Sequence, residues 1–289
     1  MHSFILHNGE LIPNDAHTAS VGQVGLLNGW GVFSTIRVIH GVMFAWEKHW
    51  ERMSRDAALM RVPMPERAGE LKEQLERLIA ANEAGEATLR VAVVRNKGGV
   101  FQAPHLEREF DVVAYTVNLQ DWGTAARLDV QEQGRHAASP MSGLKLTSWS
   151  GNLTFLEQAK ARGFDEVVLL NERGEVSECT SANLFVVRGG SVLTPPLSSG
   201  CLPGVTRLFL LDEVKVDGVT VEEATLRLED LYAADEVFMT STTRELLRVA
   251  QVGERATGGE DAVRAKLHEA FRALMEEYAT VAGGARRAR

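Results

Sequence analysis

The chain has 289 residues, with 31 lysines and arginines against 39 aspartates and glutamates and a net charge of −8, a balance that excludes the basic face of an ordinary nucleic-acid binder. With 45% hydrophobic and 24% charged residues it matches globular proteins, not disordered or fibrous ones. No apolar run approaches the roughly 18 residues that cross a bilayer and no signal-peptide core follows Met1, so the expected setting is the cytoplasm.

In chain order, residues 4–7 and 10–12 predict a hairpin about Asn8-Gly9, and residues 32–39 and 42–44 a second one about His40-Gly41. Trp46, Trp50, Met53, Ala57 and Met60 recur at three or four residues, which predicts a helix that ends before Pro63. Leu71, Leu75, Leu78 and Ile79 predict another, and strands follow at 88–95 and 110–118. Periodicity lapses near Asp121, so residues 1–118 are expected to form a small α+β domain, 119–125 a linker and 126–289 a larger domain. In the larger domain the pattern predicts strands near 127–132, 166–170, 175–178, 183–187, 191–194 and 235–240, and helices at about 151–162 and 205–214. A C-terminal helix follows, and the basic tail 283–289 is expected to be disordered.

Cys179 and Cys201 are too few for a disulfide framework and lack zinc-ligand spacing, and the histidines are scattered, so no metal is expected. There is no P-loop and no G-x-S-x-G elbow. Four features stand out instead: His49-x-x-Arg52, Leu144-Lys145, the run from Glu178 to Phe185, and Leu202-Pro203-Gly204-Val205-Thr206-Arg207. Singly, each reads as an ordinary solvated charge or a good helix start. Their joint order and spacing carry more.

Together they resemble the class IV (fold type IV) pyridoxal-phosphate enzymes, which include branched-chain and D-amino-acid aminotransferases, R-selective amine transaminases and aminodeoxychorismate lyase. The resemblance covers nearly the whole chain, from the Asn8-Gly9 hairpin to Thr242. It implies a mixed α/β (α+β) two-domain fold of the D-amino-acid aminotransferase type, and a homodimer. It implies that Lys145 forms the Schiff base with pyridoxal 5′-phosphate and shuttles the α-proton, and that Glu178 holds the pyridine nitrogen. A phosphate is well held by an arginine and by helix N-terminal amides, and the resemblance gives these roles to Arg52 and to Val205 and Thr206. Thr242 adds a hydroxyl at the family's second phosphate-contact segment. Cys179, beside Glu178, is read as packing.

A substrate carboxylate needs a cation, and the candidates are Arg37, Arg95 and Lys97; Phe33 and Trp149 are candidate pocket walls. The absence of a tyrosine soon after Lys145 departs from the branched-chain aminotransferases, and the interval from Lys145 to Gly163 resembles the D-amino-acid aminotransferase and lyase groups; Phe33 to Val38 and Glu178 to Phe185 lean toward the lyase. Leu202 to Arg207 with Ser241 to Glu245 lean toward the aminotransferases. The favoured reading is an aminotransferase acting on a branched-chain-like or D-amino acid and a 2-keto acid. The alternative is a lyase that releases pyruvate and 4-aminobenzoate. A catalytically dead scaffold has no physical need for Lys145, Glu178 and Arg52 together.

Overall fold

The Asn8-Gly9 pair sets the first local structure: both residues have positive φ, 51° and 88°, as a tight hairpin turn requires. It joins β1 (Phe4–His7) to β2 (Glu10–Pro13) with Leu6 opposite Leu11. The computed structural model describes residues 1–20, 22–99, 106–259 and 261–287. The chain divides into two compact units: unit 1 comprises residues 1–120, 145–149 and 275–289, and unit 2 comprises 121–144 and 150–274.

Unit 1 continues with α1 (Val24–Asn28), β3 (Gly31–Ile39), β4 (Val42–Met43), α2 (Trp46–Met60), α3 (Ala68–Ala81), β5 (Ala87–Arg95) and β6 (Phe110–Asn118). Its strands form one antiparallel sheet in the order β2-β1-β6-β5-β3-β4. Along β5, Ala87, Leu89, Val91 and Val93 are buried while the residues between them are half-buried. These four pack with Met53 and Ala57 of α2 and Leu71, Leu75 and Leu78 of α3, each large side chain contributing about 1.5–3 kcal/mol by burial. The other face of the sheet carries the polar alternation.

Unit 2 contains β7 (Ala125–Gln131), α4 (Ser150–Ala161), β8 (Glu166–Leu170), β9 (Val176–Cys179), β10 (Asn183–Arg188), β11 (Ser191–Thr194), α5 (Val205–Asp212), β12 (Thr220–Glu223), α6 (Leu228–Tyr232), β13 (Glu236–Ser241), β14 (Glu245–Val252), β15 (Arg255–Ala256) and the first part of α7 (Ala262–Arg287). The sheet order is β12-β11-β10-β13-β14-β7-β8-β9, with β15 on β14. Pairs β11–β12, β14–β7 and β7–β8 are parallel. Every residue of β8 and β9 is buried, which is why β8 reads as a near-continuous apolar run rather than as alternation.

Three expectations are corrected. Residues 145–149 and 275–289 belong with unit 1, not with the larger domain. Ala125, assigned to the linker, opens β7. Gly283 and Gly284 lie inside α7 rather than in a disordered tail, because the apolar face of the helix persists: Met275 and Ala279 are buried, and Tyr278 packs its ring edge on Phe44 at 5.3 Å and donates to Glu47 at 2.5 Å. The last two residues of the expected tail lie outside the described residues.

Candidate active site

The strand alternation of β3 gives unit 1 two chemically different faces. Val32, Ile36 and Val38 enter the core, and Ser34 shares their side of the strand. There Arg52 Nη2 donates to Ser34 Oγ at 2.9 Å, and Ser34 Oγ lies 2.7 Å from His49 Nδ1. An oxygen that accepts from a guanidinium has its own proton to donate, so Nδ1 is assigned as the acceptor and the imidazole as neutral. Complete burial, and then the nearby charges of Arg52 and Lys145, hold the His49 pKa well below its ordinary value. The His49-x-x-Arg52 spacing thus places both side chains on one turn of α2.

On the opposite face Phe33 is the centre. Lys145 Nζ stands 4.6 Å from its ring centroid, the Arg90 guanidinium carbon 3.8 Å, and Trp149 meets it edge-on at 6.3 Å. Cross-strand register fixes Arg90: it pairs with Thr35 of β3 on one side and Tyr115 of β6 on the other. Burial lowers its pKa, and no carboxylate among the described residues pairs with it. Lys145 is seated beside β3, its carbonyl accepting from Phe33 N at 3.2 Å and its amide donating to Asp56 Oδ2 at 2.9 Å.

The other substrate-contact candidates are engaged elsewhere. Arg37 forms an ion pair with Glu86 at 3.0 Å. Arg95 donates to the carbonyls of Lys97 and Arg61 at 2.6 and 2.5 Å and lies 4.3 Å over the Trp30 ring. It braces the turn that holds Lys97.

In unit 2, Glu178 is buried on β9 with both oxygens fixed: Oε1 accepts from Arg135 Nε at 3.1 Å and Oε2 from the Leu202 amide at 3.1 Å. The Leu202 carbonyl accepts from Asn183 Nδ2 at 2.8 Å. Leu202, at the entry to α5, is therefore bracketed by two residues of the Glu178 to Phe185 run. Gly204 precedes α5, and a Cβ there would lie 2.0 Å from Asn183 Oδ1, so only glycine admits this approach. Thr206, in the first turn, is buried, and its Oγ1 has no hydrogen-bond partner. Thr242 lies in the turn between β13 and β14, two residues beyond Thr240, which pairs with Asn183.

Behind this surface is a buried carboxylate, Glu166. It accepts from Thr180 Oγ1, from Ser181 Oγ at 2.5 Å and from Arg244 Nη2 at 3.2 Å, so it ties the end of β9 to the Thr242 turn. Cys179 is wholly buried, and burial followed by the charge of Glu166 pushes its thiol well above the ordinary range.

Unit 1 thus places Lys145 beside Phe33 on one face of β3 and Arg52 beside Ser34 on the other, and unit 2 groups Glu178 with the start of α5. Arg90, Arg135 and Asp56 are not among the candidates that the sequence motifs single out. The first has a usable signal, since a charged residue at an alternating position of an apolar strand belongs to the non-core face.

The family model described as Amino-transferase class IV matches residues 31–252. The branched-chain-amino-acid aminotransferase of Escherichia coli K12 is 30% identical, over 94% of this chain and 93% of its own. A D-alanine aminotransferase of Listeria monocytogenes is 28% identical over 96% and 97%. A crystal structure of the Escherichia coli branched-chain amino acid aminotransferase superposes with a TM-score of 0.87 at 26% identity, covering 95% of each chain. With its motifs lying inside the matched span and more than nine-tenths of its length shared with these proteins, the chain belongs to the class IV aminotransferase family.

Proposed function

We propose that the protein is a pyridoxal 5′-phosphate-dependent aminotransferase that moves an amino group between a branched-chain-like or D-amino acid and a 2-keto acid, with Lys145 as the residue that carries the cofactor. The observation behind this reading is the cluster on the non-core face of the unit 1 sheet, where the Lys145 amine and the uncompensated Arg90 guanidinium flank Phe33. The residues fit the cofactor. Thr206 offers a buried hydroxyl with no partner, Gly204 lets Asn183 close on the start of α5, and Arg52 is a buried cation held by Ser34.

When bound, pyridoxal 5′-phosphate supplies the electron sink for negative charge at the substrate α-carbon. The protein supplies the rest. Lys145 Nζ would take the proton from that carbon and hold it for return. Arg52 would hold the phosphate, as would the hydroxyls of Thr206 and Thr242 and the Val205 and Thr206 amides, which have no acceptor within the helix. Glu178 serves the ring nitrogen, and Arg135 and the Leu202 amide keep its carboxylate from rotating. Arg90 receives the substrate carboxylate, Phe33 forms the adjoining wall, and Arg37, Arg95 and Lys97 shape its surroundings.

The protein is further proposed to act as a homodimer, as the family resemblance implies. The cytoplasm is its proposed compartment, in keeping with two buried free thiols. The test is half-transamination. Adding L-leucine, D-alanine or an R-amine is expected to bleach the visible band of the holoenzyme, and 2-oxoglutarate to restore it. A persistent band with steady pyruvate release from aminodeoxychorismate alone would establish the lyase instead. Replacing Arg90 by Met is expected to raise KM for the carboxylate substrate about tenfold or more, the scale of a lost charge-assisted contact, while a borohydride-trapped adduct still forms at Lys145. An unchanged KM rules Arg90 out.

A further inference from the structure

The backbone of Lys145 is held on both sides. On its carbonyl side, residues 145–147 run beside the start of β3: Phe33 N donates to Lys145 O at 3.2 Å, Val32 and Leu146 form an antiparallel bridge, and Thr147 N donates to Gly31 O at 3.0 Å. On its amide side Lys145 N donates to Asp56 Oδ2 at 2.9 Å, across 89 residues of sequence. Asp56 is 1% exposed. Its other oxygen accepts from Arg55 Nε at 2.9 Å and Nη2 at 2.5 Å, which leaves Oδ2 aimed at the lysine amide. Asp56 also lies four residues after Arg52 on α2, so the two share one helix face, separated by about one turn, roughly 5.4 Å along the axis.

A lysine that carries a cofactor must release it to the incoming substrate and later retake it. In the interval its long side chain is free to rotate, and only the position and direction of its Cα–Cβ bond return Nζ to the same carbon. A mispositioning of about 1 Å costs up to a hundredfold in rate. We propose that Asp56 is the positioning residue for Lys145: through the lysine amide it fixes the origin of the side chain, and through α2 it sets that origin at a constant distance from the Arg52 guanidinium. This inference rests on the assignment of Lys145 as the cofactor-bearing lysine.

The test is the rate at which borohydride traps an adduct at Lys145, located by peptide mass, after apoprotein is mixed with pyridoxal 5′-phosphate or with phosphate-free pyridoxal. D56A is expected to slow trapping about tenfold, by the same factor for both aldehydes, because the defect is in the lysine and not in the phosphate contact. D56N keeps an acceptor oxygen for the lysine amide and is expected to stay within about threefold of the parent. A D56A protein that traps both aldehydes at the parent rate overturns the proposal, even if its melting temperature falls. So does a defect confined to the phosphate-bearing aldehyde, or a D56N protein as slow as D56A.

If D56A does not fold, hydrogen exchange of the Lys145 amide in the parent decides: slow exchange that D56N preserves supports the clamp, and exchange at the rate of an open loop overturns it. A parent that traps at a lysine other than Lys145 fails the assignment itself. That outcome is distinct from a parent that traps at Lys145 with D56A indifferent.

Discussion

Adjacent residues at this site do opposite kinds of work because the strand sends their side chains to opposite faces. Glu178 keeps 8% exposure and has both oxygens oriented, whereas Cys179 is sealed in the core of unit 2 among Leu184, Val186 and Met239. A thiol reacts as its thiolate. Burial pushes Cys179 well above the ordinary thiol range, and burial followed by Glu178 pushes Cys201 up to about 12. Neither cysteine is therefore expected to react with a thiol reagent in the native protein, and two equivalents are expected to appear on unfolding; fast labelling of the native state would contradict the packing role. Thr206 is the opposite case, a buried hydroxyl with nothing to bind. T206V is expected to leave the melting temperature of the apoprotein unchanged and to weaken binding of pyridoxal 5′-phosphate by about 1 kcal/mol, roughly fivefold, without changing that of phosphate-free pyridoxal. Equal losses for both ligands would remove the phosphate role.

Among elements, α5 shows how a short motif becomes a site. Gly204 begins it under Asn183, whose amide also holds the Leu202 carbonyl, and Leu202 in turn donates to Glu178. G204A forces a Cβ to within 2.0 Å of Asn183 Oδ1, so the first turn or Asn183 must move. The expected cost is about 1–3 kcal/mol of stability, together with weaker binding of the phosphate-bearing aldehyde. A thermal melt and a binding titration check both, and a G204A protein that matches the parent would mean that the loop has slack. This motif is readable in the sequence because its parts are local and ordered. The hairpins, α2, α3 and the strands of unit 1 are readable from alternation and helical spacing. β12 and β14 are not, because β12 is a largely exposed polar strand held by parallel pairing to β11, and β14, besides its hairpin with β13, is held by parallel pairing to β7, more than a hundred residues away. Asp56 and Arg90 are hidden for the same reason. Each looks like a solvated charge until the fold delivers Lys145 to one and Phe33 to the other.

At the scale of the whole molecule the first response to acid below neutrality is set in unit 1, at the buried His49. His49 has a folded pKa well below 6.5 through burial, then Arg52 and Lys145. The unfolded chain therefore binds a proton that the fold refuses, and stability falls as pH drops below about 6.5, with a limiting slope of about 1.4 kcal/mol per pH unit. Asp111 on β6 acts lower on the scale. Burial alone would raise its pKa, but hydrogen bonds from Arg108, Asn96, Asn8 and His7 outweigh it and hold the carboxyl well below its ordinary 3.8. Its contribution is complete at neutral pH and is lost as pH falls below about 4. Asp111 also joins the first hairpin to Gln23 and to Asn96 at the end of β5, so its protonation loosens several elements of unit 1 together. The melting temperature of the parent is expected to decline in two steps, the first from about pH 6.5 and the second from about pH 4. H49Q is expected to start lower at pH 8, having lost the ring that receives Ser34, and to stay level down to pH 5. D111N is expected to lose about 2 kcal/mol at neutral pH and to approach the parent as the solution becomes more acidic. Hydrogen exchange at pH 5 locates the effect: peptides of α2 and β3 are expected to lose protection before those of β10 and β13. A parent whose stability is flat from pH 7 to 5 would mean that His49 accepts its proton inside the fold, and with it that the neutral relay from Arg52 through Ser34 is wrongly assigned.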